Sequence, residues 1–464
     1  MAEVQYVMGG LVFACTVIVY GVLLALARRW RRGFDASEVG YWTAPKAERV
    51  ADLTRAVWRP KLVSVLYALA YFTNGYNRVA FSVWIPLFLF QVRGLGAVEV
   101  ALFVSLIYLA WGWKMFVGLV ADALPLRFRG RVYRRRPWFL LTGVLYVIGT
   151  VVFVVYDSTQ MPVWTVFLPT VVVVTTAGAV FDVAADSYVV DATPPAWHGR
   201  TLGTASRMGR TVGGVLASVL PPVLIGVGGY RLVFLSAGLT GWVAFLCLVL
   251  KEPVLEGERV FTRKAIAFTF SEPTVLLGAV TTLLFAFSLR PVASPLGGMF
   301  TFIVQEVVDA SPELVGRISL VALLGGVPGS LLAGWAADKW GHKKMFVVSG
   351  VATAVAGLLW IPLQGGMVLY FTATAVVLSL LHTFNLACLL ALMGDITPLA
   401  LASTVFQMYM SFLWIGNVPM SILVGYLITR NLPLCLAFMA GCTVLVSVTG
   451  GLIQPFEAGK ADKT

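Results

Sequence analysis

The sequence predicts an all-α polytopic membrane protein: two related six-helix bundles preceded by one extra N-terminal transmembrane helix. Three observations carry that prediction. Of 464 residues, 59% are hydrophobic and 12% charged, about half the charged share of a soluble domain. A globule of this size could not hide so much apolar surface from water. The apolar residues also fall in blocks of about 20, the length a helix needs to cross a hydrocarbon core of about 30 Å. Finally, Gly118-Leu-Val-Ala-Asp122, which leads into arginines through Arg136, is matched 216 residues later by Gly334-Trp-Ala-Ala-Asp338-Lys-Trp-Gly341-His-Lys-Lys344. A repeat of that length implies a duplicated unit.

The expected spans, in order, are 5–27, 62–91, 97–121, 138–156, 162–190, 201–225, 231–250, 274–304, 314–336, 345–363, 367–393, 404–428 and 433–453. The first is the extra helix, and residues 1–60 hold it and a basic linker. Residues 61–250 form one bundle, 251–272 a polar linker, and 273–464 the second bundle with a short tail. Further pairs repeat in the same order: Pro60 and Pro273 at span entries, Gln91 and Gln305 at their ends, and Asp191-Ala-Thr-Pro194 and Asp395-Ile-Thr-Pro398. Ala25-Leu26-Ala27 has the small-x-small form of a cleavage site, but arginines follow the first span rather than precede it. That polarity favours a retained anchor over a signal peptide.

A net charge of +12 would suit nucleic acid, yet its distribution reports topology instead. Arg28, Arg29, Arg31 and Arg32, the run from Arg127 to Arg136, Arg263 with Lys264, and Lys339 to Lys344 all fall on one side of the spans. Positive loops stay in the cytoplasm, so the amino terminus is expected outside and the carboxyl terminus inside, in the plasma membrane. The five cysteines show no paired spacing, and neither a metal site nor a cofactor is expected.

The pattern Gly-x-x-x-Asp-x-x-Gly-Arg-basic between second and third body helices resembles the signature of the major facilitator superfamily. The second copy matches with Gly334, Asp338, Gly341, Lys343 and Lys344, with His342 in place of arginine. The first keeps Gly118 and Asp122 but inserts residues before Gly130 and Arg131. Trp113-Lys114, Tyr133-Arg-Arg-Arg-Pro137 and Asp182-Val-Ala-Ala-Asp186 leading to Asp191 resemble the folate–biopterin transporter and muropeptide permease branches. The resemblance implies the major facilitator fold and transport of a small organic solute by alternating access, driven by protons or by the solute's own gradient. Lipid bilayer and solute are the implied partners, with a monomer expected and no nucleic acid. The branch resemblance also leaves open a non-transporting assembly factor that binds a pigment, lipid or protein. No Gly-x-x-x-x-Gly-Lys-Ser/Thr, His-Glu-x-x-His or Gly-x-Ser-x-Gly pattern supports an ATP-driven pump or an enzyme.

The family's motif acts as a cytoplasmic gate, and the resemblance carries that role to Gly118, Asp122, Arg131, Gly334, Asp338, Gly341 and Lys343, with Asp191 and Asp395 nearby. The chemistry suits it: an aspartate beside a small residue can approach a neighbouring helix and meet its partly positive amino end. The plainer reading is that these charges only set topology. Charges inside spans cost about 2.5–3.5 kcal/mol each on insertion scales. Asp182 and Asp186 share one helix face, as do Arg207 and Arg210, and the intervening turn sets Asp182 level with Arg210 and Asp186 level with Arg207. The plain reading is two bracing ion pairs; the sharper one makes the aspartates proton carriers. Arg78 and Arg290 are repeat counterparts 212 residues apart in the first and seventh body helices, which face the cavity in this superfamily. Together with Asn74 and Asn77 they could bind an anion, or the arginines could snorkel outward. Lys114 either neutralises an aspartate or touches solute. His382, with Asn385, packs the tenth helix or carries a coupling proton. Tyr76, Trp84, Trp113 and Trp414 could wall a pocket.

Overall fold

The computed structural model describes residues 60–85, 88–89, 92–95, 103, 106–107, 111–123, 126–128, 131–194, 197–252, 267, 270–295, 300, 303–309, 312–398, 401–416, 420, 427 and 430–454. The expected helix 5–27, the Arg28–Arg32 cluster, Gln91, Gly130, Arg263 and Lys264 lie outside these residues, as do the side chains of Arg131 and Gln305.

The first half opens with α1, Pro60–Val79, which passes into a π turn at Ala80–Trp84. Helix α2 spans Lys114–Ala123. The arginine-rich stretch after it, expected as a plain loop, folds into an antiparallel hairpin of β1, Leu126–Phe128, and β2, Arg131–Tyr133, with Leu126 opposite Tyr133. Apolar and basic residues alternate over Leu126-Arg127-Phe128-Arg129, which is the strand period. Helix α3 is Arg136–Val155, with Pro137 in its first turn where a missing N–H costs nothing. Helix α4, Leu168–Ala192, follows a π turn at Val163–Phe167. Another π turn, Gly199–Ala205, leads into α5, Ser206–Thr240. Two spans run through α5, because Gly228 and Gly229 leave helical geometry and Gly229 takes φ 71°. Helix α6 is Val243–Leu246.

The second half comprises α7, Pro273–Ala286, α8, Pro312–Trp340, and α9, His342–Leu358. It continues with α10, Val368–Asp395, α11, Ala402–Ile415, and α12, Leu432–Leu452. Helix α7 is shorter than the apolar block 274–304. It stops before Arg290 because Pro291 has no N–H to donate and disfavours helical geometry in the residue ahead of it. Between α8 and α9, Gly341 adopts φ 94°, a left-handed conformation that strains any side-chain-bearing residue.

Among the described residues, six helical segments are long and apolar enough to cross a membrane. Helix α3 has two apolar faces. Phe139, Gly143, Tyr146, Thr150 and Phe153 are buried, while Leu140, Val144, Ile148, Val151 and Val155 stay exposed at helical spacing. An exposed face of that kind suits lipid rather than water. This is a multi-pass membrane protein.

Helix pairings repeat between the halves. Helix α1 packs on α5 as α7 packs on α11, and α3 on α4 as α9 on α10. Across the halves, α2 packs on α11 as α5 packs on α8. The α1–α5 crossing is close because Gly209 and Gly213 face its backbone; a Cβ on Gly209 would lie 2.0 Å from the Ala68 carbonyl. Such small-residue spacing lets membrane helices approach where no hydrophobic effect drives them together. Away from the motif, aromatic rings knit each half: Phe88, Phe153, Phe167 and Phe234 in one, Phe300, Trp360 and Phe371 in the other.

Candidate functional site

A cavity lies between the halves, lined by residues of α1, α2, α4, α5, α8, α10 and α11 and by the irregular backbone after α7. Among the described residues that line it, five are cationic (Arg78, Lys114, Arg207, Arg210 and Arg290), and one is a carboxylate, Asp182. Arg78 and Arg290 converge on one aromatic ring: their guanidinium carbons lie 4.7 and 5.4 Å from the centre of Trp414. Arg290 also donates from Nη1 to the Leu413 carbonyl at 3.0 Å, which ties the post-α7 bend to α11. His382 lines the same cavity with its ring stacked 5.8 Å from Phe285.

Other expected site residues point elsewhere. Asn74 donates to Asp182 Oδ1 at 2.7 Å and Asn77 to the Tyr146 hydroxyl at 3.1 Å, so both brace the first half. Asn385 donates to the Phe346 carbonyl and the Ser349 hydroxyl, fastening α10 to α9. Tyr76 pairs with Ser236, Trp84 donates to the Ala217 carbonyl, and Trp113 is exposed; of the four aromatics, Trp414 alone lines the cavity.

The two aspartates of α4 have different surroundings. Asp182 forms an ion pair with Lys114 and lies 3.8 Å from Arg210. Lys114 thus neutralises an aspartate, one of the two roles considered for it, and its side chain also lines the cavity. Asp186 is not paired with Arg207, contrary to the level register of the two helices. Its Oδ1 accepts from Tyr67 and Tyr71, each at 2.7 Å, and its Oδ2 from Gln407 of α11 at 2.9 Å. The two tyrosines of α1 stand where the arginine was expected. Arg207 faces the cavity, and its buried Nε has no hydrogen-bond partner.

On the motif face, each repeat aspartate crosses to the other half. Asp122 accepts from the backbone N–H and hydroxyl of Thr404, both at 2.8 Å, at the start of α11. Asp338 accepts from the N–H groups of Gly199 and Arg200, at 2.8 and 3.1 Å, at the turn leading into α5. Both carboxylates therefore sit where a helix dipole favours negative charge. Gly118 and Gly334 make these approaches possible: a Cβ would lie 2.7 Å from the Ser403 carbonyl in one case and 2.8 Å from the Gly199 carbonyl in the other.

Behind each aspartate stands a bridging cation. Arg135 joins Asp122 at 3.0 Å to Asp191 at 2.8 Å, and also donates to the Ser403 hydroxyl. His342 joins Asp338 at 3.1 Å to Asp395 at 2.6 Å. Burial works against the charged His342 ring, but hydrogen bonds and charge from the two carboxylates prevail and raise its pKa to about 9. His198 adds a second imidazole, with Nδ1 2.9 Å from Asp395 and Nε2 3.2 Å from the Thr193 carbonyl. Lys343 is half-buried beside them. Arg135, His198, Gln407, Tyr67 and Tyr71 carried no role in the sequence reading. Arg135 could have been found from its place at the start of α3, one residue ahead of the helix, since His342 stands as the first residue of α9.

The Major Facilitator Superfamily profile matches residues 127–416. No curated protein matches the chain by sequence. Among solved structures, the proton:xylose symporter XylE, bound to 6-bromo-6-deoxy-D-glucose, is similar at TM-score 0.64 and 14% identity, covering 86% of this chain and 96% of that one. The transporter FucP in the outward conformation gives 0.67 and 14%, covering 84% and 97%. The human organic anion transporter MFSD10 gives 0.63 and 13%, covering 85% and 100%. At such identities these likenesses speak to the fold, while the profile covers more than half the chain and the duplicated motif lies at the contact between the halves. The chain belongs to the major facilitator superfamily and is a membrane transporter.

Proposed function

We propose that this transporter carries a small organic anion across the plasma membrane by alternating access, gripping it with Arg78 and Arg290. The observation that supports an anion is the cavity lining, which among the described residues holds five cations against one carboxylate. Charge of one sign held out of water is costly unless something of the other sign joins it. Two guanidinium groups at one indole suit a carboxylate or phosphate, which they can grip in bidentate fashion.

In this reading residues 61–250 and 273–464 rock as two units around the cavity, and the motif face is the cytoplasmic gate. Asp122 and Asp338 hold that gate shut. Asp182, Asp186 and His382 are the candidate carriers of a coupling proton. The protein acts as a monomer with its amino terminus outside.

Thermal unfolding in detergent tests the anion. A ligand at about 100 times its dissociation constant adds roughly 2.7 kcal/mol of stability. Anions, unlike neutral or cationic metabolites, should stabilise the wild type, and Arg78→Gln and Arg290→Gln should each remove the effect. Equal stabilisation of the variants would disprove the arginine site. In liposomes, substrate-dependent movement of protons would identify a symporter, and its absence a facilitator.

A further inference from the structure

The cavity also holds a neutral polar patch, whose meaning rests on the anion reading above. Three side chains of α10, Ser379, His382 and Thr383, line the cavity. Their spacing of three and four residues puts them on one helix face. They are only 1%, 5% and 9% exposed, yet none of the three forms a hydrogen bond with any group among the described residues.

Other hydroxyls in this half behave differently. Thr372 of α10 donates to the Val368 carbonyl at 2.7 Å, and Thr374 to the Tyr370 carbonyl at 2.8 Å, one turn back. Ser349 and Thr353 of α9 do the same, at 2.6 and 2.7 Å. That return bond satisfies a hydroxyl inside a helix, and Ser379 and Thr383 forgo it. Gly326 of α8, also on the cavity wall, keeps the space before them clear. A Cβ there would lie 2.9 Å from Thr383 Oγ1 and 3.5 Å from Ser379 Oγ. The His382 ring stacks on Phe285, which fixes its orientation.

Whatever fills the cavity must satisfy this patch. Water does so while the cavity is open, and a solute that displaces the water has to replace its bonds. An apolar body would leave buried polar groups without partners, which is costly. A second carboxylate only accepts, whereas Ser379, Thr383 and a neutral imidazole each offer an acceptor as well as a donor. A hydroxyl donates and accepts from one atom, and so matches each of the three.

We propose that Ser379, His382 and Thr383 bond hydroxyl groups of the solute, so that the transported class is a hydroxylated organic acid. Its acid group lies with the arginines, and its hydroxyl-bearing carbons face α10. A site built to bond a hydroxyl rejects the analogue that lacks one, so α10 sets selectivity against plain aliphatic acids.

The test is calorimetric binding to the full-length protein in detergent, with probes matched in charge and chain length. Gluconate is compared with hexanoate, and glucose 6-phosphate with hexyl phosphate; glucitol supplies hydroxyls without an acid. In at least one pair the hydroxylated member should bind about tenfold more tightly, the worth of one or two net hydrogen bonds. Ser379→Ala combined with Thr383→Val should abolish that preference and leave the aliphatic partner's affinity unchanged. Thr383→Ser, which keeps the hydroxyl, should retain the preference and controls for folding. Gly326→Ala, which crowds both hydroxyls, should reduce it. A preference within the first pair alone would assign a carboxylate, and within the second alone a phosphate. Equal binding within both pairs, still dependent on Arg78, would overturn the hydroxyl subsite and leave the anion transporter standing. A preference that survives the double variant would overturn the assignment to α10. Glucitol binding as tightly as gluconate, lost in the double variant but unaffected by Arg78→Gln, would overturn the anion and leave the subsite. If no probe binds the wild type, both readings fail.

Discussion

Replacing Gly334 by alanine should open the motif face. Its Cβ would sit 2.0 Å from Thr204 Oγ1, 2.8 Å from the Gly199 carbonyl and 3.0 Å from Arg200 Cα, all in the other half. Thr204 cannot simply turn away, because its hydroxyl donates to the Ser330 carbonyl at 2.6 Å. The other two atoms are backbone at the amino end of the helix that Asp338 caps. The halves must therefore separate locally, which also stretches the bonds from Gly199 and Arg200 to Asp338. Overpacking of this kind costs about 1–3 kcal/mol. The clash exists only while the halves touch, so the cost falls on the closed form and shifts the closed-to-open ratio about 5–150-fold.

A cysteine at Ser379, on the cavity wall, in a variant lacking the native cysteines, reports that ratio. Its labelling rate by an impermeant maleimide applied from the motif face should rise by the same factor. The matched control is Gly441→Ala in α12, where a Cβ meets nothing within 4 Å. That change should leave labelling alone and alter stability by about 0.5 kcal/mol or less. If Gly334→Ala lowers the unfolding temperature without faster labelling, Gly334 serves packing alone and the gating argument is wrong.

Asp338→Asn should act in the same direction. It places an amide where two backbone N–H groups need acceptors, and the loss of charge-assisted bonds of about 1.5–3 kcal/mol each should again accelerate labelling. Double-mutant cycles on thermal stability should find a coupling above about 1 kcal/mol between Lys114 and Asp182, and a smaller one between Asp186 and Arg207; the reverse order would contradict the contacts described. For His342 the folded pKa of about 9 lies above the ordinary 6.5. Its contribution, on the order of 3 kcal/mol by the size of the shift, is complete below pH 6.5 and lost as pH rises through 9. The unfolding temperature of wild type should therefore fall from pH 7 to 9.5 more steeply than that of His342→Gln, and parallel curves would refute the assignment.

The membrane-spanning helices and the repeat were legible because both rest on patterns the chain repeats: apolar blocks of spanning length, and aspartates 216 residues apart. Arg78 and Arg290 stood out as counterparts for the same reason, and the cavity brings them to one ring. Partner choice inside the bundle was not. Register places Asp186 level with Arg207, yet a side chain several bonds long can turn to any neighbour within reach. Two hydroxyls on α1 and an amide on α11, both distant in sequence, stand closer. Asn74, Asn77 and Asn385 misled for a related reason. An amide in an apolar span must find a hydrogen bond, and a protein partner serves as well as a solute. The hairpin at 126–133 carried its strand alternation openly, but its positive charge drew attention to topology first.

The duplicated motif ends in one geometry built from two chemistries. Arg135 bridges Asp122 and Asp191, and His342 bridges Asp338 and Asp395. A guanidinium keeps its charge at every pH the protein can meet, whereas both ring nitrogens of His342 face carboxylate oxygens and both can donate only in the imidazolium. His198 reaches the same carboxylate from the other side, with its ring between Asp395 and the Thr193 carbonyl. The contact through Asp395 is thus held by protons and by residues of both halves, since His198 belongs to the first and His342 to the second. Its twin around Arg135 has no ionisable weak point of that kind. Alkali must then loosen the α5–α8 side while the α2–α11 side stays charged and closed. An opening that begins on one side of a pseudo-twofold axis follows from a single difference between the copies, histidine where the other has arginine.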